Sequence, residues 1–177
     1  MKTPLNKLIV PFLSLFIFTS ACNQEKQNEN KESGQQEAIT AAWEESGDWV
    51  KRLSLSPEKV IRNTSWGQDM TSLKDTLELA ESQPEIGKSY TLYFDDTDLN
   101  FSDITYVPNE HNKLQEITFD IFVESGDDVQ PLINQWKTYL DTKFGPSVAK
   151  DKYIDWTKNK DTRIHLENVS TPKDPGI

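Results

Sequence analysis

One thiol, at Cys22, is all this chain has, so no disulfide can form within it and its fold must stand on a hydrophobic core alone. That cysteine also closes the only long apolar run in the sequence. Lys2 and Lys7 lend the N-terminus positive charge, and Leu8 to Phe18 make up the run. Its length is that of a secretory h-region. It falls short of the ~20 apolar residues that a membrane-spanning helix needs. Pro11 argues further against a spanning helix. The small residues Ser20 and Ala21 follow, where a signal peptidase needs room.

Thr19-Ser20-Ala21-Cys22 resembles the lipobox of bacterial lipoproteins. Ser20, Ala21 and Cys22 match the family pattern, and Thr19 stands where the family usually has Leu. The resemblance covers residues 1–22 only. It implies a signal peptide over 1–21, diacylglycerol on the Cys22 sulfur, cleavage before Cys22, and fatty acylation, of the palmitate kind, on the new amino group. Each buried methylene contributes about 0.8 kcal/mol, and two or more chains hold where one does not. The alternative is a cleaved, secreted protein with a stray cysteine. In Gram-negative lipoproteins an Asp after the cysteine favours the inner membrane; Asn23 at that place implies the outer membrane in such a host.

Removing Lys2 and Lys7 from the 19 basic residues leaves 17 against 29 acidic ones, a net charge of −12 for the mature chain. Such a chain is not built to bind nucleic acid or to dock electrostatically on anionic lipid. Residues 22–37 form the expected tether, because Asn23 to Glu37 has no apolar side chain. A segment like this cannot offset its ordering entropy, and a coil of that length reaches ~20 Å. Residues 38–177 are one domain's worth of chain.

Within that domain, 3,4 spacing of Ile39, Ala42, Trp43, Ser46, Trp49, Val50 and Leu53 predicts a first helix over Ala38–Leu53. Ser56-Pro57 can open one short helical turn through Ile61. Met70, Leu73, Leu77 and Ala80 predict a second helix over Met70–Ser82, capped by Asp69 and stopped by Pro84. The period then becomes two. Strands are expected at Tyr90–Phe94, within Phe101–Val107, and at Leu114–Val123, with Ile117, Phe119, Ile121 and Val123 on one face. A third helix is expected over Val129–Phe144, ended by Gly145-Pro146. Two last strands are expected at Tyr153–Thr157 and Arg163–Val169, and a loose tail from Thr171. The class is α+β: an antiparallel sheet of about five strands with two to three helices on one face.

Trp66-Gly67, a helix, a strand meander, and a helix closing on Phe144-Gly145-Pro146 resemble small bacterial lipoproteins with a beta-lactamase-inhibitor-like fold. The resemblance covers about residues 65–157; most proteins of that kind are uncharacterised or bind other proteins, and it lends no catalytic residue.

Asp96, Asp98 and Asn100 match the first three ligand positions of a calcium loop. Phe101 stands where that loop needs Gly, and Val107 where it needs a bidentate Glu, so an acidic turn is the plainer reading. His111 and His165 have no second His or Cys at ligand spacing, and His165 is expected to point outward beside Arg163 and Glu167. There is no Gly-x-Ser-x-Gly elbow, no spare thiol and no glycine-rich phosphate loop. The reading is a non-enzyme with no cofactor.

The expected role is a membrane-anchored interaction module of the cell envelope, held to the bilayer through Cys22. Its partner would be an envelope protein meeting the exposed sheet face or the acidic rim. Tyr93 and Tyr106 are the candidate contact residues, because they fall off the main apolar phase. A second possibility is a small-ligand pocket lined by Trp66, Trp136 or Trp156. A third is an inhibitor or immunity protein for a basic periplasmic enzyme or toxin.

Overall fold

A computed structural model describes residues 21–77, 79–83, 87–159 and 162–177. The expected signal segment, residues 1–20, lies outside them. The chain divides into two compact units, Met1–Gln35 and Gln36–Ile177.

Helix α1 (Ala21–Glu45) takes in the stretch expected to be a coil. The correction has a local cause. Glu, Gln and Lys are straight-chain residues with good helix propensity, and an all-polar helix needs no apolar face to form. Side chains from Glu32 to Ala38 remain exposed, and Ile39 is the first to be buried. The predicted helix over 38–53 is two helices. Ser46 bonds back to the Trp43 carbonyl through both its amide and its hydroxyl, Gly47 is extended, and α2 (Asp48–Ser54) starts afresh. Val50 and Leu53 of α2 are fully buried.

Among the described residues the predicted helix over Met70–Ser82 is absent. Met70 and Leu73 do reach the core, at 4% and 3% exposure. Their backbone, however, is satisfied by distant partners. The Met70 amide donates to the Asn112 carbonyl (3.1 Å), and Lys88 Nζ donates to the Met70 and Leu73 carbonyls (2.7 and 3.2 Å). Asp69 caps a turn instead of a helix, accepting from the Thr71 amide and hydroxyl. Strand β1 (Leu79–Gln83) comes next along the chain.

Strands β2 (Gly87–Tyr93), β3 (Phe101–Pro108) and β4 (Leu114–Phe122) fall where alternation put them. With β1 they form an antiparallel sheet in the order β1-β2-β3-β4. After a 3-10 turn at Gly126–Asp128 comes α3 (Val129–Phe144), with its predicted bounds. A second antiparallel sheet holds β5 (Val148–Ala149), β6 (Tyr153–Asn159) and β7 (Thr162–Glu167). The α+β class stands; the single sheet of about five strands becomes sheets of four and three.

The reason lies at the outer edge of β4, where a fifth strand would have joined. The tail, expected to be loose, runs there: Ile121 and Ile177 exchange both backbone hydrogen bonds (2.8 and 3.0 Å), and Val123 donates to the Pro175 carbonyl. At the other end of β4, Leu114 exchanges bonds with Gly67 and Gln68. The second sheet meets α3 instead. Asp141 accepts from Trp156 Nε1 (2.8 Å), from the Ser147 amide (3.0 Å) and from Lys137.

The core gathers Val50, Leu53, Ile104, Tyr106, Leu114, Tyr139 and Trp156, all nearly fully buried. A charged group sits inside it. Arg62, with φ of +46°, turns its guanidinium inward onto Asp75, and the Tyr106 hydroxyl donates to the same carboxylate.

Candidate functional site

Alternation gives the first sheet two unlike faces. The register sets Tyr90, Ile104 and Phe119 in one cross-strand row and Leu92, Ser102 and Ile121 in the next. These line the core side, where Phe119 meets the Trp136 ring of α3 at 6.1 Å. The opposite face carries the intervening residues, again in rows. Ser89, Thr105 and Thr118 form a hydroxyl row, Thr91, Asp103 and Asp120 a carboxylate row, and Tyr93, Phe101 and Phe122 an aromatic row.

The aromatic row is continuous. Tyr93 and Phe101 lie 6.0 Å apart between centroids, and Phe101 stacks on Phe122 at 4.7 Å and 20°. Tyr93 is 50% exposed, and Phe101 and Phe122 are half-buried. Two sets of contacts brace this end of the sheet. Beneath it, Trp49 stacks flat on Phe94 (3.8 Å, 6°), and Arg52 lies over the same ring while donating to the Phe94 and Tyr93 carbonyls. Beside it, the β2–β3 loop closes on Asp95. That carboxylate accepts from the Thr97 amide and hydroxyl and from Asn100 Nδ2, and these bonds hold it below its ordinary pKa.

In the carboxylate row Asp103 and Asp120 are direct cross-strand partners. Thr91 donates its hydroxyl to Asp103 (2.7 Å). Among the described residues neither carboxylate has a cationic partner. Burial against the sheet, and then the charge of Asp103, raise the pKa of Asp120. This face can therefore offer aromatic contact, hydroxyl hydrogen bonds and uncompensated negative charge within a few residues.

The expected site residues divide. Tyr93 lies on this face. Tyr106 does not: it is 1% exposed, because it shares the i, i+2 phase of Ile104 and its hydroxyl is committed to Asp75. Burial and the Asp75 hydrogen bond raise its pKa well above that of an ordinary tyrosine. Trp66 is 40% exposed but stands in the turn beside Leu114, at the end of β4 remote from Phe122. Trp136 and Trp156 are packed, at 4% and 1% exposure, so the three tryptophans line no common pocket. Trp136 Nε1 is buried with no hydrogen-bond partner among the described residues.

In the candidate calcium loop, Asn100 is used by the protein itself. Its Nδ2 donates to Asp95 and its Oδ1 accepts from the Glu124 amide (2.9 Å). Among the described residues no group of three or more His, Cys, Asp and Glu is placed to hold a metal. Cys22 lies in α1. Among the described residues no helix is long and apolar enough to cross a membrane.

A second polar cluster lies on the outer side of the smaller sheet. Asp155 accepts from His165 Nδ1 (2.9 Å), Arg163 (3.0 Å) and Lys150 (3.2 Å), with His165 also beside Glu167 as expected. The His165 bond, with those of Arg163 and Lys150, holds the Asp155 carboxyl far below the usual range despite its partial burial. Here Asp155 has the counter-charges of Arg163 and Lys150, unlike the Asp103–Asp120 pair.

Sequence reasoning missed Phe101, Phe122, Asp103 and Asp120. The signal was present: they share the alternate phase of Tyr93 and Thr118 once the three strands are set in register. No protein-family model, curated protein or solved structure matches this chain.

Proposed function

We propose that this chain is a lipid-anchored bacterial envelope protein whose folded domain binds another protein through the outer face of its first sheet. The observation that carries the reading is the aromatic row of Tyr93, Phe101 and Phe122, left open at a sheet end braced by Trp49, Arg52 and the Asp95 loop. Aromatic side chains bring large contact area at small loss of rotamer freedom, and they are enriched where proteins meet. The anchor rests on Cys22 and the residues before it. On this reading the chain is a binding module of the cell envelope, at the outer membrane in a Gram-negative host, with no reaction of its own.

The test is site-specific photo-crosslinking in the native envelope. A crosslinking residue in place of Tyr93 is expected to give one discrete adduct, with its partner identified by mass spectrometry. The same residue in place of Thr138, on the exposed side of α3, is expected to give none. Equal adducts at both places, or none at Tyr93, would sink the reading.

A further inference from the structure

The outer sheet face carries an electrostatic conflict that nothing among the described residues resolves. Asp103 and Asp120 face each other directly across β3 and β4. Like charges in that position destabilise a sheet. The Thr91 hydroxyl serves Asp103, and no Lys, Arg or His pairs with either group among the described residues. Asp155, by contrast, is paired with Arg163 and Lys150. The pair therefore has the form of a half-site whose cation comes from outside.

Spacing says what kind of cation. The aromatic row and the carboxylate row lie two residues apart along each strand, which is about 7 Å. That is close to the reach of an extended basic side chain, which buries its methylene stem on apolar surface and keeps its charged head free. A guanidinium or ammonium crossing the aromatic rings also gains cation–π attraction. With a chain charge of −10 behind it, the face attracts basic segments from a distance. A sugar would use the rings and hydroxyls but leave the two carboxylates facing each other uncompensated.

We infer that the partner's contact segment is basic: an arginine or lysine lays its stem along Tyr93, Phe101 and Phe122 and sets its charged head between Asp103 and Asp120. This rests on the reading of the outer face as the binding surface.

The experiment titrates the folded full chain with the peptide Ac-Thr-Arg-Val-Arg-Thr-NH2 and follows backbone amides by NMR. The control peptide carries citrulline, neutral and of nearly equal shape, in place of each arginine. Shifts are expected at Thr91, Tyr93, Phe101, Asp103, Asp120 and Phe122, with the citrulline peptide bound roughly tenfold more weakly or worse. Asp103→Asn with Asp120→Asn is expected to erase the difference between the peptides. Asparagine keeps an oxygen for the Thr91 hydroxyl, and a thermal midpoint at or above that of the wild type, as relief of the like-charge repulsion requires, would confirm the fold. Equal binding of the two peptides, shifts elsewhere, or no shift at millimolar peptide overturns the inference. The crosslinked partner separates the two readings. An adduct at Tyr93 through a segment without Arg or Lys leaves the docking face standing and removes the basic occupant. No adduct at Tyr93 removes both.

Discussion

Asp75 accepts both Nη2 and Nε of Arg62, at 2.6 and 2.8 Å, with each side chain only 1% exposed. The remaining valences are filled: Arg62 Nη1 donates to the Arg52 and Leu53 carbonyls, and Asp75 accepts from Tyr106 and the Leu77 amide. This bridge ties the loop after α2 to the segment before β1 and to the centre of β3. Removing one partner strands a buried charge, at a cost of about 3–5 kcal/mol. Asp75→Ala is therefore expected to unfold at much lower urea, whereas Arg62→Met with Asp75→Leu loses far less than the two single changes summed. Chemical denaturation of the wild type, the single variants and the double variant checks this.

The same site contributes to both ends of the pH range. Burial pushes the Asp75 carboxyl up, but the hydrogen bonds from Arg62 and Tyr106 outweigh it, and its pKa is lowered. A lowered carboxyl contributes stability above its unfolded value of about 3.9, and that contribution is lost as pH falls below it. Asp69, Asp141 and Asp155 are lowered as well, so Asp75→Asn should make the acid limb shallower without abolishing it. Tyr106 is raised, chiefly by burial, and its contribution is complete below the unfolded value of about 10 and lost as pH climbs past it. Burial also pushes Tyr139 up to about 12. Tyr106→Phe should flatten part of the alkaline limb. Thermal midpoints measured across pH read both effects.

Ile177 is 8% exposed, and a Cβ added to Gly176 would lie 2.5 Å from the Ile121 carbonyl oxygen. Gly176→Ala is expected to lift the tail from β4. Deleting residues 175–177 removes one large apolar side chain and its backbone bonds, at about 2–4 kcal/mol. Both variants are expected to show faster amide exchange at Ile121 and Val123, with α3 unchanged in Gly176→Ala.

Cys22→Ser is expected to move the protein from the membrane fraction to the soluble fraction, with loss of fatty-acid labelling. Mass spectrometry of the wild-type mature protein is expected to find acyl chains on an N-terminal Cys22. An unacylated mature chain would refute the anchor.

Periodicity made legible those elements whose own residues decide them. α3 has an apolar stripe, acidic residues before it and Gly145 after it, and it appears with its predicted bounds. Strands β2, β3 and β4 alternate cleanly. Met70–Leu77 misled because its stripe is real while its backbone answers to Asn112 and Lys88, partners that no local window contains. Tyr106 misled because in the sequence it reads as off the main apolar phase, whereas in the sheet it shares the phase of Ile104 and a buried acid, Asp75, receives its hydroxyl. The outer face became visible only with register, since Phe101 and Asp103 come from one strand and Asp120 and Phe122 from the next.

The bracketing of β4 also bears on how copies of this chain behave when crowded together. Bare strand edges invite neighbouring molecules to zip into a growing ribbon. Here Gly67–Asp69 occupies one end of that border and Pro175–Ile177 the other. A visiting strand is blocked at both ends before it can run the length of β4. Crowded copies are thus kept from adding a strand along this border of the four-stranded sheet.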